Sequence, residues 1–406
     1  MNGACTIISP NYLAYARTVS ASYLAHHPGE RFFVLIVADL SSKDQQLFAE
    51  EKFVPIFLPE IGLEDVRREA MKYDILELNT NVKPTFMKHL LRAFALENLV
   101  YLDPDIYVYK YLAPVFDALN TGASAVLTPH LTSPINDEKH PGEQEMLYNG
   151  TYNLGFIAVR QCEESSRLLD WWERRCLDLG FSEGRTGLFV DQKWMNLAPG
   201  LFEQVKILRH PGCNMAYWNL HERVLTEDEH GYRVNDSDPL CFFHFSGIVV
   251  DDAAILSKNT NRFTLADRPD LAKLFAEYKA EVLARKDSVL ETIAYGFDRL
   301  SDGTSITRLA RRIYAKHQAR FSGQDPFDAQ GEFAHFAKRL GLVAGQAAPA
   351  KATWKEFNPK DRRVEMVHRL LKMTLRVLGP NRYELLMRYL AHIAVLRNQS
   401  VFLNDK

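Results

Sequence analysis

Two carboxylates, Asp103 and Asp105, directly follow the apolar run Leu99-Val100-Tyr101-Leu102. A run of that length and composition reads as a short buried strand. Side chains at i and i+2 just past its carboxyl end then point to the same side of an extended backbone. Pro104 fixes its own φ and disfavours helix at Asp103, which keeps the pair extended. One divalent ion fits between two such groups. Hard ions such as Mg2+ or Mn2+ take one or two carboxylates and complete their shell with substrate phosphates, so a diphosphate is the natural third party. The chain supplies its own control in Asp236-Ser237-Asp238, which follows no buried strand and lies between the turn formers Asn235 and Pro239.

What must position this pair is legible from the apolar runs. Ala4–Ser9 reads as a first strand, broken by Ser9-Pro10-Asn11 before a helical stretch from Tyr12 to Ala25. Phe32–Val37 is almost continuously apolar, as a parallel strand covered on both faces would be. Lys43–Lys52 reads as a helix, Val54–Leu58 as a strand and Leu63–Tyr73 as a helix. Pro84–Glu97 is amphipathic and leads into the central strand. Alternating strands and helices imply a doubly wound α/β sheet, in which ligands collect at the carboxyl ends of the strands. Asp103 and Asp105 are at such an end.

Further on, Ala123–Leu127 is another strand, and Pro129–Glu145 is a long polar loop with three prolines, of the kind that closes over a site. Tyr148–Gly155 combines turn residues and aromatics before the strand Phe156–Val159. Ser165–Leu179 is a helix carrying Trp171 and Trp172, which read with Trp194 as core aromatics. Val190–Asn196 begins another helix. Cys241–Gly247 closes the α/β part with a strand ending in a candidate ligand, His244.

From about residue 262 the pattern turns helical. Leu271–Arg285 and Ser305–Ala319 are helices, residues 341–350 read as a linker, and Val364–Leu378 and Tyr383–Arg397 form a helical hairpin about Gly379-Pro380-Asn381. Residues 355–406 carry eleven Lys/Arg against five Asp/Glu, a formal +6 within a chain of net −2. The overall charge gives no reason to expect a nucleic-acid partner. Basic amphipathic helices of this kind suit a charged face packed on the rest of the chain or on a partner, and equally peripheral contact with an anionic membrane. The five cysteines are scattered without a Cys-x-x-Cys pair, which argues against a disulfide framework and against a thiolate metal site. No secretory leader or membrane-span pattern is evident, and a reducing cytoplasm is the simplest setting.

In order, these features are a strand ending in Asp-x-Asp, an Asn-x-Gly entering a strand, an Asp-Gln opening a helix, and a His-x-x-Gly after an aromatic strand. Over residues 4–262 this order resembles glycosyltransferase family 8, retaining enzymes of the GT-A fold that use nucleotide sugars. The resemblance implies a GT-A catalytic domain at 1–262 and an α-helical region at 263–406. It implies that Asp103, Asp105 and His244 hold Mn2+ or Mg2+, and that Asn153 and Gly155 contact the donor sugar. Asp191 and Gln192 would lie beside the reacting sugar, Lys88 would be the basic residue on the preceding helix, and Asn11 and Tyr12 would meet the nucleoside. The family's acidic nucleoside loop and its Lys-Pro-Trp after His-x-x-Gly are both missing here. Lys258 and Arg262 stand where diphosphate contacts could come from instead.

The activity so implied is metal-dependent transfer of a hexose from a nucleotide-diphosphate sugar, UDP- before GDP-, to a glycan, glycolipid or protein hydroxyl. Cell-surface polysaccharide or glycolipid synthesis at the inner membrane face would be its setting. Two other classes fit parts of the pattern. A nucleotidyltransferase would want a Gly-rich loop after the first strand, where Ser9-Pro10-Asn11 stands. A scaffold that binds a nucleotide sugar without turnover is the other.

Overall fold

The near-continuous apolar runs become strands buried on both faces. In the computed structural model, which describes residues 1–252, 254–343 and 362–403, the chain divides into two units. The first comprises Met1–Val66 with Ile75–Gly296, and the second Arg67–Asp74 with Phe297–Lys406.

In the first unit the strands that concern the site are β1 (Asn2–Ile8), β2 (Arg31–Ile36), β3 (Val54–Phe57), β4 (Asn98–Leu102), β5 (Ile106–Val108), β6 (Ala125–Pro129), β7 (Tyr152–Arg160), β8 (Val205–Ile207) and β9 (Phe242–His244). Seven of them form one sheet in the order β8-β6-β7-β4-β1-β2-β3. All neighbours are parallel except β7, which runs against both β4 and β6. The start of β7 therefore faces the same rim as the end of β4. Strands β5 and β9 make a separate antiparallel ribbon with His244 opposite Ile106, one residue from Asp105. This is the α/β architecture expected, with an α-helical C-terminal region.

Helices α1 (Leu13–His26), α2 (Lys83–Ala93), α3 (Glu163–Leu179) and α4 (Ala272–Ala284) belong to the same unit. Residues 263–296 thus pack within the first unit, which extends to Gly296. The reason is apolar burial: Leu271, Leu274, Phe275, Tyr278 and Val282 share a core with Phe243 and Phe245, and the Phe245 and Tyr278 rings stack at 3.7 Å. The helix expected at Lys43–Lys52 shortens to Ser42–Gln46, closed at its start by a Ser41–Asp44 capping box.

The second unit holds α5 (Arg308–His317), α6 (Glu332–Arg339) and α7 (Arg362–Ile393). Its core is aromatic, with Tyr314, Phe321 and Phe333 in mutual contact. The buried Arg311 guanidinium donates to the carbonyls of Ala70, Tyr73 and Phe297, which draws segment 67–74 into this unit. Of the expected linker, Leu342 is buried and Val343 bridges to Ile306, while 344–350 lie outside the described residues. The expected hairpin break is present: Gly379, at φ 74°, interrupts α7 ahead of Pro380. No residue of α7 is buried. No described helix is long and apolar enough to cross a membrane.

Candidate active site

The end of β4, the ribbon β5–β9 and the start of β7 bring the three candidate ligands together. His244 Nε2 lies 3.0 Å from Asp105 Oδ1 and 3.9 Å from Asp103 Oδ2. Adjacent donors of an octahedral ion with bonds of about 2.1 Å stand about 3.0 Å apart, so the closer spacing is what a Mg2+- or Mn2+-sized ion requires. His244 is buried, whereas both carboxylates keep part of their surface open to solvent. Burial opposes the charged imidazolium, but Asp105 and then Asp103 outweigh it and raise the His244 pKa above its usual value.

The surrounding hydrogen bonds hold these groups in place. His244 Nδ1 lies 3.2 Å from Asn153 Oδ1, a contact that sets the ring so that Nε2 faces the carboxylates. The same Asn153 oxygen accepts from Asn214 Nδ2, which also donates to Thr128 Oγ1, and the Asn153 amide reaches His130 Nε2 at 3.4 Å. Burial drives the His130 pKa down to about 4, so this ring stays neutral. Asp103 is fixed twice, by its own N–H on the Gly155 carbonyl at 2.7 Å and by the Tyr101 hydroxyl on Oδ1 at 2.7 Å.

Gly155 is where the elements meet. A Cβ there would lie 2.4 Å from His244 Cε1 and 2.8 Å from Asp103 Oδ2, so any side chain would push the ligands apart. The Asn-x-Gly element therefore serves first by standing aside.

A buried ion pair adjoins the Asp103 side of this group. Asp191 Oδ2 lies 2.6 Å from Lys83 Nζ, both side chains nearly inaccessible. Burial raises the Asp191 carboxyl above its ordinary range, and Lys83 opposes that shift only in part. Lys83 also donates to the Leu154 carbonyl and sits 4.1 Å above the Tyr101 ring, joining the pair to the Asp103 side. Asp191 does not open an α-helix as expected. Val190 takes φ 41°, rare for a β-branched residue, and a 3-10 turn, Lys193–Leu197, follows. The Trp172 indole N–H holds the Asp191 carbonyl, so this core aromatic also positions the site.

The remaining expected residues divide. Asn11 and Tyr12 lie exposed in a 3-10 turn at the carboxyl end of β1, and the Tyr12 hydroxyl, partly buried, feels both Asp105 and Asp103. Lys258 is exposed, its N–H on the Gly247 carbonyl beside the turn after His244. Gln192 is close, but its amide accepts from Leu154 N–H and donates to the Asn149 carbonyl, a structural clasp. Lys88 is not in the cleft. It pairs with Asp170 at 2.7 Å and Glu173 at 2.5 Å on α3. Arg262 is also diverted: its guanidinium holds Asp137 and the carbonyls of Lys139 and Pro141, and so fastens the long loop instead of facing a diphosphate.

Lys83, Tyr101, His130 and Asn214 went unread in the sequence. For Lys83 a signal existed: it shares the helical face of Phe86, Met87 and Leu90, the buried one, whereas Lys88 lies on the other side.

No family model matches the chain. The uncharacterised protein YfnF of Bacillus subtilis (strain 168) is 24% identical over 274 residues, spanning 67% of this chain and 90% of that protein. Among solved structures, the galactosyltransferase LgtC in complex with donor and acceptor sugar analogs aligns at 16% identity and TM-score 0.39, over 68% of this chain and 95% of that one. The glycosyltransferase GlyE of Streptococcus pneumoniae TIGR4 aligns at 16% identity and TM-score 0.40, over 71% and 62%. At these levels the function has to be read from the residues of the cleft.

Proposed function

We propose that this chain is a metal-dependent glycosyltransferase that moves a hexose from a nucleotide-diphosphate sugar to a hydroxyl acceptor with retention, as glycosyltransferase family 8 does. The observation that carries the reading is the meeting of the His244 imidazole with two half-open carboxylates at the carboxyl rim of an α/β sheet. The donor set fits the ion: two hard oxygens and one neutral nitrogen favour Mn2+ or Mg2+, and the nitrogen is already turned inward by Asn153.

Asp103, Asp105 and His244 would hold the ion, which when bound supplies Lewis-acid neutralisation of charge on the leaving diphosphate. Lys258, exposed beside the His244 turn, adds a cation for the same phosphates. Tyr12 offers a half-exposed ring on which the nucleobase stacks, uracil before guanine. Asp191 lies beside the sugar. Held by Lys83, it offers negative charge where the anomeric carbon becomes positive, and Asn153 and Gly155 orient the sugar hydroxyls. The acceptor is a glycan, glycolipid or protein hydroxyl, in surface-polysaccharide or glycolipid synthesis.

We further propose that α7 rests on the inner face of an anionic membrane. At 3.6 residues per turn, Met366, Leu370, Met373 and Val377 share one exposed side, and Arg369, Lys372 and Arg376 flank it at about 60–120° around the helix.

The test is a thermal-shift screen of nucleotide sugars with Mn2+, followed by turnover of the best ligand. Asp103→Asn is expected to lower turnover by about 100-fold or more while the fold is kept. No binding or cleavage of any common nucleotide sugar, or an unaltered Asp103→Asn protein, would overturn the assignment.

A further inference from the structure

Away from the cleft, a second set of ligand-type side chains converges. His210, Cys213 and Cys241 each offer one donor atom, and these atoms all lie within 4.8 Å of one another. Donors bound at about 2.3 Å to a tetrahedral ion stand about 3.8 Å apart, so the three need close by only about 1 Å. Both cysteines are 1% exposed and their thiols are hydrogen-bonded to one another, while His210 keeps one side open to solvent.

Three features prepare the group for a cation. First, the segments that carry it are clamped: the Cys241 N–H donates to the Gly212 carbonyl at 2.8 Å, and a Cβ on Gly212 would strike the Pro239 carbonyl oxygen at 1.9 Å. Second, the imidazole is already in the ligating tautomer. Its Nε2 lies 3.3 Å from Asp238 Oδ1, the carboxylate partner that metal-bound histidines use. Its Nδ1 lone pair is turned to the side that leads to Cys213, where it accepts from the Gly212 N–H at 3.1 Å, a bond the ion would replace. Third, a buried guanidinium is seated against the segment that carries Cys213. Arg223 Nη1 donates to the carbonyls of Pro211 and Cys213, its Nε has no hydrogen-bond partner, and its carboxylate neighbour Glu222 is 3.8 Å away.

We infer that His210, Cys213 and Cys241 bind one zinc ion, with Asp238 as the carboxylate behind the histidine and solvent as the fourth ligand. Two thiolates and an imidazole are a soft set that selects zinc over the hard ions suited to the Asp103 site. The ion ties two neighbouring chain segments, one leading into Asn214 and the other, three residues on, into His244.

The experiment measures zinc and thiols in the full chain purified without chelators from zinc-supplemented cells. One equivalent of zinc is expected, retained in Asp103→Asn and lost in Cys213→Ser. His210→Asn, at a partly exposed position where folding is safe, loses it as well. Replacement by Co2+ gives thiolate-to-metal charge-transfer absorption that Cys213→Ser lacks, and all five cysteines titrate as thiols after denaturation with chelator. Zinc far below one equivalent with no cobalt band overturns the inference, as does a Cys213–Cys241 disulfide in non-reduced peptide mapping, or zinc that survives in both Cys213→Ser and His210→Asn.

Discussion

At the scale of single residues, the two lysines of α2 make a controlled comparison. Lys83 is buried against Asp191, whereas Lys88 is partly exposed between two carboxylates on α3. Removing one partner of a buried pair strands the other charge, at about 3–5 kcal/mol, while an exposed pair contributes about 1 kcal/mol or less. Lys83→Met should therefore lower stability to urea by several kcal/mol and Lys88→Met by little. Lys83→Met combined with Asp191→Leu should recover most of the stability but none of the turnover. Equal losses in the two single variants would remove Lys83 from its assigned place. The contrast also shows how far residues could be read in sequence. Asp103, Asp105 and His244 were legible because each ends or follows an apolar strand. Choosing Lys88 over Lys83 meant reading charge without the face of the helix. The turn at Val190 had no signal at all, since nothing in Phe189-Val190-Asp191 announces a left-handed backbone.

At the scale of elements, the long loop after β6 was read as a lid, and it is fastened. Besides the Arg262 contacts, the His140 N–H and carbonyl bind Asn261 and Thr260. Arg262 holds the Asp137 carboxyl down at about 2. A depressed acid contributes its pairing above the ordinary carboxylate range and loses it only as pH falls through its lowered value, so the clasp should hold from neutral into mildly acid solution. Arg262→Ala should speed hydrogen exchange and proteolysis in residues 131–142 throughout that range and raise the donor KM, with little change in melting temperature. If exchange in the loop is unchanged, other contacts do the fastening. The strands of the sheet were legible because each is an uninterrupted apolar run. The short elements at 42–46 and 193–197 were not, because local capping and backbone strain decide them.

At the scale of the whole molecule, the charge of the chain is unevenly spread. Seven Lys/Arg and two Glu fall between residues 362 and 393, on a helix with no buried residue. Two copies of so basic a surface repel, whereas an anionic bilayer attracts it by about 1 kcal/mol per basic residue. The full chain should co-sediment with vesicles containing phosphatidylserine, less at high salt, and not with neutral phosphatidylcholine vesicles. Charge reversal at Arg369, Lys372 and Arg376 should abolish co-sedimentation without altering turnover of a soluble acceptor. Binding that ignores both salt and lipid charge would refute the membrane reading. The helical character of this region was plain from periodicity, but the boundary between the units was not. It depends on α4 burying its aromatics against a strand 30 residues earlier, which no local pattern reveals.

The stretch between β6 and β7 leaves and rejoins the sheet at one point: Pro129 pairs with Tyr152, and the His130 N–H donates to the Thr151 carbonyl. Residues 131–150 thus form an insert with one crossing point on the sheet, held further by the clasps of Asn261 and Arg262, and lengthening it between those ties adds only the slowly growing entropy of a larger loop. Such an insert can be exchanged wholesale, and what it covers changed with it, while the rim that carries Asp103, Asp105 and His244 stays as it is.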